Sequence, residues 1–140
     1  MLCGWLYPDE EIYPDKEMRK KRNAPRSKLE DYCRKQFHEN ITEYHPLSER
    51  PGNEPFLYTG ISTKKVKTEQ DKGEDYVVAF GWFKGDSLKR VAVISSARLN
   101  KILTGELEEN GFEVSKTNDD QRYLIHIYAT WDMWEDVPNA

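Results

Sequence analysis

Residues 76–94 read YVVAFGWFKGDSLKRVAVI, and they carry strong strand signals. Two apolar runs, Tyr76–Phe83 and Leu88–Ile94, flank the turn signal Lys84-Gly85-Asp86-Ser87. In the first run both alternating sets of side chains are apolar, which is typical of a strand that is covered on both faces. We therefore predict a central strand that a tight turn joins to an antiparallel neighbour.

Three further strand candidates flank this pair in the sequence, namely Phe56–Ile61 with an extension toward Val66, Phe112–Lys116 and Arg122–Trp131. The last two form a hairpin. Ser95 or Ser96 caps a helix over residues 96–109, which Asn110-Gly111 ends. Its apolar stripe consists of Leu99, Ile102, Leu103 and Leu107. We predict an α+β domain with an antiparallel sheet of about five strands in the order βββαββ, and with this helix packed on it.

The first third of the chain has a different character, because it is polar, basic and punctuated by prolines. Residues 15–23 favour a short helix that ends before Pro25. Ser27 and Glu30 then form a capping box for a helix from Lys28 to about Asn40. We expect its apolar stripe to cover the second face of the central strand; the stripe consists of Leu29, Tyr32, Cys33, Gln36 and Phe37.

These patterns divide the chain into three parts. Residues 1–45 form a helical basic arm, residues 46–55 form a proline-rich linker loop, and residues 56–140 form the α+β sheet domain. The helix over 28–40 is expected to join the sheet domain in one compact unit.

Charge is distributed unevenly along the chain, although the formal net charge is only −4. Residues 16–35 hold nine basic and three acidic side chains, whereas residues 101–140 hold three basic and nine acidic ones. Such polarity creates fields that steer charged partners. We predict two partner-binding surfaces, one formed by Arg19, Lys20, Lys21, Arg22 and Arg26, and the other by Trp134, Glu135 and Asp136.

Each surface has a competing interpretation. The basic residues can pair with the acidic C-terminal half of the same chain or of a second copy. Trp134 lies beyond the last strand, where it is either an exposed hot spot or a cover for the sheet edge.

Catalytic and metal-binding motifs are weak. Cys33 and His38 are five residues apart, so a helix places them on different faces, and the sequence contains no CxxC or HExxH pattern. We predict no catalytic residues, no metal site and no cofactor. The two cysteines, Cys3 and Cys33, are expected to be free thiols.

The leading hypothesis is therefore a small cytoplasmic, non-enzymatic binding protein that docks a charged surface on a partner protein. By association, dense charge on a small α+β chain suggests a phage or mobile-element protein that inhibits or modulates host machinery. The alternative is a nucleic-acid-binding module that uses the basic arm at 16–35. A metal-dependent nuclease with dispersed acids such as Asp75 and Asp86 is the third hypothesis. No run approaches the roughly 20 apolar residues of a membrane span, so no membrane partner is expected.

Overall fold

Two sheets and three helices make up the part of the chain that the computed structural model describes, residues 16–37, 40–49 and 56–138. The α+β class is confirmed. In chain order the elements are α1 (Lys16–Gln36), β1 (Ile41–Ser48), β2 (Phe56–Ser62), α2 (Thr63–Lys72), β3 (Val77–Lys84), β4 (Ser87–Ser95), α3 (Ser96–Leu103), β5 (Phe112–Lys116), β6 (Arg122–Tyr128) and β7 (Glu135–Asp136).

The first sheet has the strand order β1-β3-β4-β7. β3 and β4 form the predicted antiparallel hairpin, with Phe80 opposite Ala92. β3 is internal to the sheet, and its residues from Val78 to Phe83 are buried, as its apolar faces predict. The second sheet has the order β2-β6-β5, and it contains the predicted hairpin between β5 and β6.

The main core lies between the two sheets. Phe80 and Trp82 of β3 enter it from the first sheet, and Ile125 and Ile127 of β6 enter it from the second. Trp131 follows β6 and is 2% exposed, and its ring makes edge contacts with Phe80 and Phe112 at centroid distances of 6.1 and 5.2 Å. α2 and α3 close this core. Burial of each large apolar side chain contributes about 2 kcal/mol to the stability of the fold.

α1 covers the opposite face of the first sheet, as the sequence predicts for the helix after Ser27. Leu29 and Cys33 pack with Ala79, Phe83 and Val91 in a second, smaller core. A Cβ atom at Gly81 would come within 3.0 Å of both Leu29 methyl carbons, so the absence of a side chain there lets the helix approach the strand.

The predicted all-antiparallel sheet is wrong at its edge, because β1 pairs with β3 in parallel. Residues 49–76 between the two strands contain β2 and α2, which is long enough for a crossover. β1 also passes through the predicted boundary at Pro46, so residues 46–48 belong to a strand and not to the linker. β1 lies at the edge of the sheet, where a proline without an amide hydrogen is tolerated; residues 50–55 lie outside the described residues.

The strand predicted to extend toward Val66 is also wrong, because the chain turns into α2 after Ser62. The Ser62 hydroxyl accepts a hydrogen bond from the Lys65 amide at 3.2 Å and caps the helix. Gly73 ends it with a left-handed φ of 67°. Because β2 pairs with β6, it joins the second sheet, and the predicted single sheet of about five strands becomes two sheets of four and three strands.

Two helix bounds differ from prediction. α1 is one helix through Pro25 and ends at Gln36, because proline inside a helix carries a cost and is not forbidden. α3 ends at Leu103, since Thr104 caps it by bonding back to Asn100, and Leu107 lies beyond the helix. No helix in the described ranges is long and apolar enough to cross a membrane.

Candidate functional site

A cluster of polar side chains lies where β1, α2, α3 and the start of β3 meet. We call it the polar cluster; it consists of Glu43, His45, Lys65, Glu69, Tyr76 and Asn100. None of these six residues was predicted from the sequence as part of a site. β1 contributes Glu43 and His45, and the cap at Ser62 sets the start of α2, which contributes Lys65 and Glu69.

Glu43 is the acceptor at one side of the polar cluster. Its carboxylate accepts hydrogen bonds from Lys65 Nζ and from Tyr76 Oη, the latter at 2.9 Å. His45 Nε2 lies 3.2 Å from the second carboxylate oxygen. These contacts join β1 to α2 and to β3.

Glu69 is the acceptor at the other side, and it is a buried acid with 7% exposure. Its carboxylate lies 2.6 Å from Tyr76 Oη and accepts a bond from Asn100 Nδ2 at 3.0 Å. Lys65 Nζ is 3.9 Å away and adds an ion pair. The phenol of Tyr76 therefore stands between two carboxylates.

The environment shifts three pKa values. Burial acts to raise the pKa of Glu43, but hydrogen bonds from His45 and Lys65 and the charges of both outweigh it and lower the pKa to about 2. Burial lowers the pKa of His45 below its usual value, against the opposing effect of Glu43. Burial and the adjacent Glu69 and Glu43 raise the pKa of Tyr76.

The hydrogen bonds of the polar cluster connect β1, α2, α3 and the start of β3. Each of its carboxylates is satisfied by donors within the cluster, which is what stabilises a buried polar network. The ring of His45 also stacks on Phe80, with centroids 5.6 Å apart. Within the described ranges, no group of His, Cys, Asp and Glu side chains is arranged to hold a metal ion.

The two acids considered for a nuclease lie at opposite ends of β3. Asp75 precedes the strand and accepts a bond from the Ala97 amide at 3.2 Å, at the start of α3. Asp86 follows the strand, in the turn to β4. Eight residues of strand separate them by about 26 Å, too far to share one metal ion.

α1 carries the predicted basic surface on its first half. Arg26 is exposed, whereas the side chains of Arg19, Lys20, Lys21 and Arg22 lie outside the described residues although their backbone is helical. Lys28 donates a hydrogen bond to the Asp86 carbonyl at 2.7 Å, and Leu29 is 0% exposed. The end of the first sheet therefore lies beside residues 28 and 29 of α1.

The second predicted surface is packed more closely than an open hot spot. Trp134 is half-buried, and its ring lies tilted against Trp82 and edge-on to Trp131, with centroids 5.5 Å from each. It donates its indole N–H to the Tyr128 carbonyl. The ring therefore covers the edge of the core, which is the competing interpretation given above. Glu135 and Asp136 are exposed.

The acidic C-terminal end does not neutralise the described part of the basic surface. Asp136 pairs with Arg90 of β4 at 3.0 Å. Burial and the negative charge of Glu135 raise the pKa of Tyr32. The charge of Glu135 therefore acts on the C-terminal half of α1, which lies outside the predicted basic surface. Between side chains that the structure describes, no ion pair joins α1 to residues 101–138.

Comparison with protein-family models, with curated proteins and with solved structures finds no match to this chain. Its function is therefore inferred from its own residues.

Proposed function

We propose that this chain is a non-enzymatic binding protein that docks the first half of α1 on an acidic surface of a partner protein. We call Lys16–Arg26 the cationic half of α1, and it holds six basic residues and one acidic residue. The observation that carries the proposal is the continuity of α1 through Pro25. One helix thus joins the cationic half to an anchor in the core.

The anchor consists of Leu29 and Cys33, which are both buried against the first sheet. Residues 16–27 add about 18 Å of helix before it, at 1.5 Å per residue. Ala24, Arg26 and Ser27 are exposed and Pro25 is half-buried, so this part of α1 is accessible where the structure describes its side chains.

Helical register supports a continuous binding face. Positions 19, 22, 26, 29 and 33 follow one another at spacings of three and four, so they fall on one stripe of α1. The stripe is apolar at 29 and 33, where it meets the sheet, and holds arginine at the other three positions. Arginine suits bidentate recognition of carboxylates.

An acidic protein surface is favoured over nucleic acid by the charge of the rest of the molecule. The chain is acidic overall, with a net charge of −4, and its last 40 residues hold nine acidic side chains. A polyanion that approaches α1 meets this repulsive field, whereas a folded partner presents a local acidic patch. Glu135 and Asp136 are proposed as a second, acidic contact, with Trp134 supporting them from the core edge.

Charge reversal on α1 tests the proposal. A variant with Arg19→Glu, Lys20→Glu, Lys21→Glu and Arg22→Glu is compared with a matched control, Lys64→Glu, Lys67→Glu, Lys72→Glu and Lys101→Glu. The control residues are exposed on α2 and α3. Each protein is cross-linked in an extract of its native cells, and captured proteins are quantified by mass spectrometry.

We expect wild type and control to capture the same acidic protein and the α1 variant to lose it. Equal capture by the α1 variant contradicts the proposal. A second measurement titrates duplex and single-stranded DNA at several salt concentrations. Binding that weakens steeply with salt and disappears in the α1 variant alone indicates the nucleic-acid function instead.

A further inference from the structure

An open groove lies between the end of α3 and the edge strand β5. Its volume is about 590 Å³, and we call it the acidic groove; it is lined by Ile102, Gly105, Leu107, Glu108, Glu109, Asn110, Phe112 and Val114. Ile102 and Phe112 belong to the main core and form its floor. Leu107 is 38% exposed, a large apolar side chain left partly in water.

The acidic side chains at the rim of the acidic groove differ in their described partners. Arg98 binds Glu109 through both carboxylate oxygens, at 3.0 and 2.7 Å. Glu106 lies in the chain between the lining residues Gly105 and Leu107, and its carboxylate accepts bonds from neutral groups of Gln70 and Thr104. Glu108 is exposed, and in the described ranges no ion pair engages it or Glu106.

A cationic helical segment rich in lysine and arginine complements this surface. The segment from Lys16 to Lys28 holds seven basic residues and one acidic residue, with Met18 as an apolar member. Opposite charge steers such a segment to the rim, and Leu107 offers apolar area for the stems of its long side chains.

Topology prevents this pairing within one chain. α1 packs on the outer face of the first sheet through Leu29 and Cys33, whereas Ile102 and Phe112 belong to the core on the opposite face. The first sheet and the main core thus separate the two surfaces. The core alone adds about 10 Å, the usual distance between two packed sheets. Only another copy can bring them together.

We propose that the acidic groove binds the cationic half of α1 from a second copy of this chain. The inference rests on the proposed function, because it names a second copy as one partner of α1. The contact is head-to-tail, so a pair of copies keeps one free groove and one free helix, and open chains of copies form. About 18 Å of helix offers less contact area than a standard interface, so the association is weak and sensitive to salt.

A labelled peptide with the sequence of residues 16–28 tests the groove directly. Its fluorescence anisotropy is measured against the full chain, a groove variant and a control. The groove variant is Glu106→Lys with Glu108→Lys. The control is Asp31→Lys with Asp86→Lys, two exposed acids on α1 and on the turn beside it.

We expect the groove variant to raise the dissociation constant at least about tenfold and the control to leave it within about twofold. A peptide in which Arg19 to Arg22 are replaced by Glu should bind the groove variant better than the full chain. Leu107→Ser should weaken binding of the original peptide without any change of charge. Equal binding of the peptide to wild type and to the groove variant overturns the proposal.

Sedimentation equilibrium of the full chain gives the second readout. We expect the average mass of the full chain to rise above 16.5 kDa with concentration at low salt. The average mass of the groove variant should stay at that of one chain. A mass that stays monomeric in wild type overturns self-association. The groove variant keeps α1 intact, so its capture of a different acidic protein in the cross-linking experiment tests the proposed function separately.

Discussion

Tyr76 is the residue on which the polar cluster depends, because its hydroxyl stands between Glu43 and Glu69 at 2.9 and 2.6 Å. Removal of this group leaves a buried carboxylate with fewer partners, which costs more than the loss of an exposed hydrogen bond. The apolar ring, which is packed against the main core, is unchanged by substitution with phenylalanine.

We therefore expect Tyr76→Phe to lower the free energy of unfolding by about 1–3 kcal/mol in urea denaturation. Tyr128→Phe is the control, since the Tyr128 hydroxyl bonds Glu113 at an exposed position and should cost about 0.5 kcal/mol or less. Equal effects of the two substitutions would show that the polar cluster does not stabilise the fold.

Glu43 makes stability depend on pH. Its pKa is about 2 in the folded chain and close to 4.5 when unfolded, so its contribution is complete above pH 4.5 and is lost as pH falls toward 2. Because the group is partly exposed, we discount the contribution to about 1–2 kcal/mol. His45 acts in the same direction, since its lowered pKa favours the unfolded state as pH falls below 6.5.

The test compares wild type with Glu43→Gln in urea denaturation across the acidic range. The gap between their free energies of unfolding should be constant between pH 5 and pH 6, and it should shrink as pH falls through the window set by Glu43. A gap that is independent of pH down to 2 would contradict this account.

Sequence patterns reveal the apolar part of these sites but not the polar part. The alternation at Val78, Phe80 and Trp82 marks buried positions, because burial of apolar groups has a simple periodicity. Glu69 shares a face with Val66 at a spacing of three, which is the one local sign that it is buried. Its partners at positions 76 and 100 come from other elements, and only the fold brings them together.

The helices α1 and α2 are less evident in the sequence than the strands β3 and β4. The apolar run and turn at 76–94 are strong local signals. α2 buries only Val66 and Glu69, so its pattern is almost entirely polar, and its caps at Ser62 and Gly73 are the signals that identify it. β1 was missed because Pro46 suggests a loop unless the strand is known to lie at an edge.

The docking of α1 on the first sheet can be followed through Cys33. Burial raises the pKa of this thiol to about 11, and the residue is 1% exposed. In a Cys3→Ser background, we expect Cys33 to react with a thiol reagent about a hundredfold more slowly than free cysteine, because both its thiolate fraction and its access are reduced.

Leu29→Ala should accelerate this reaction, since it leaves a cavity between α1 and β3. Ile127→Ala serves as the comparison, because it lies in the main core, on the other face of the first sheet. If Cys33 reacts like free cysteine in the folded wild type, α1 does not stay packed on the sheet.

At the scale of the whole molecule, the basic segment and the anchor are separable parts of one helix. Lys28 is bonded to the Asp86 carbonyl and Leu29 is buried, whereas Ala24, Arg26 and Ser27 are exposed. The sequence predicted the charge polarity fully, because charge is a property of residues. It did not predict that a single helix joins the two parts, because that depends on α1 continuing through Pro25.

A chain that begins at Ala24 should therefore keep its fold and lose its partners. We expect its free energy of unfolding, followed by far-UV circular dichroism in urea, to stay within about 1 kcal/mol of the full chain, because it keeps every residue of the two cores that the structure describes. Leu29→Ala in the full chain should instead lose about 2–5 kcal/mol.

The shortened chain should bind the peptide of residues 16–28 as the full chain does, since its acidic groove is intact, but should neither self-associate nor capture an acidic protein. A large loss of stability on shortening would mean that residues 1–23 belong to the folded unit, and it would remove the physical basis for treating the cationic half of α1 as a docking element.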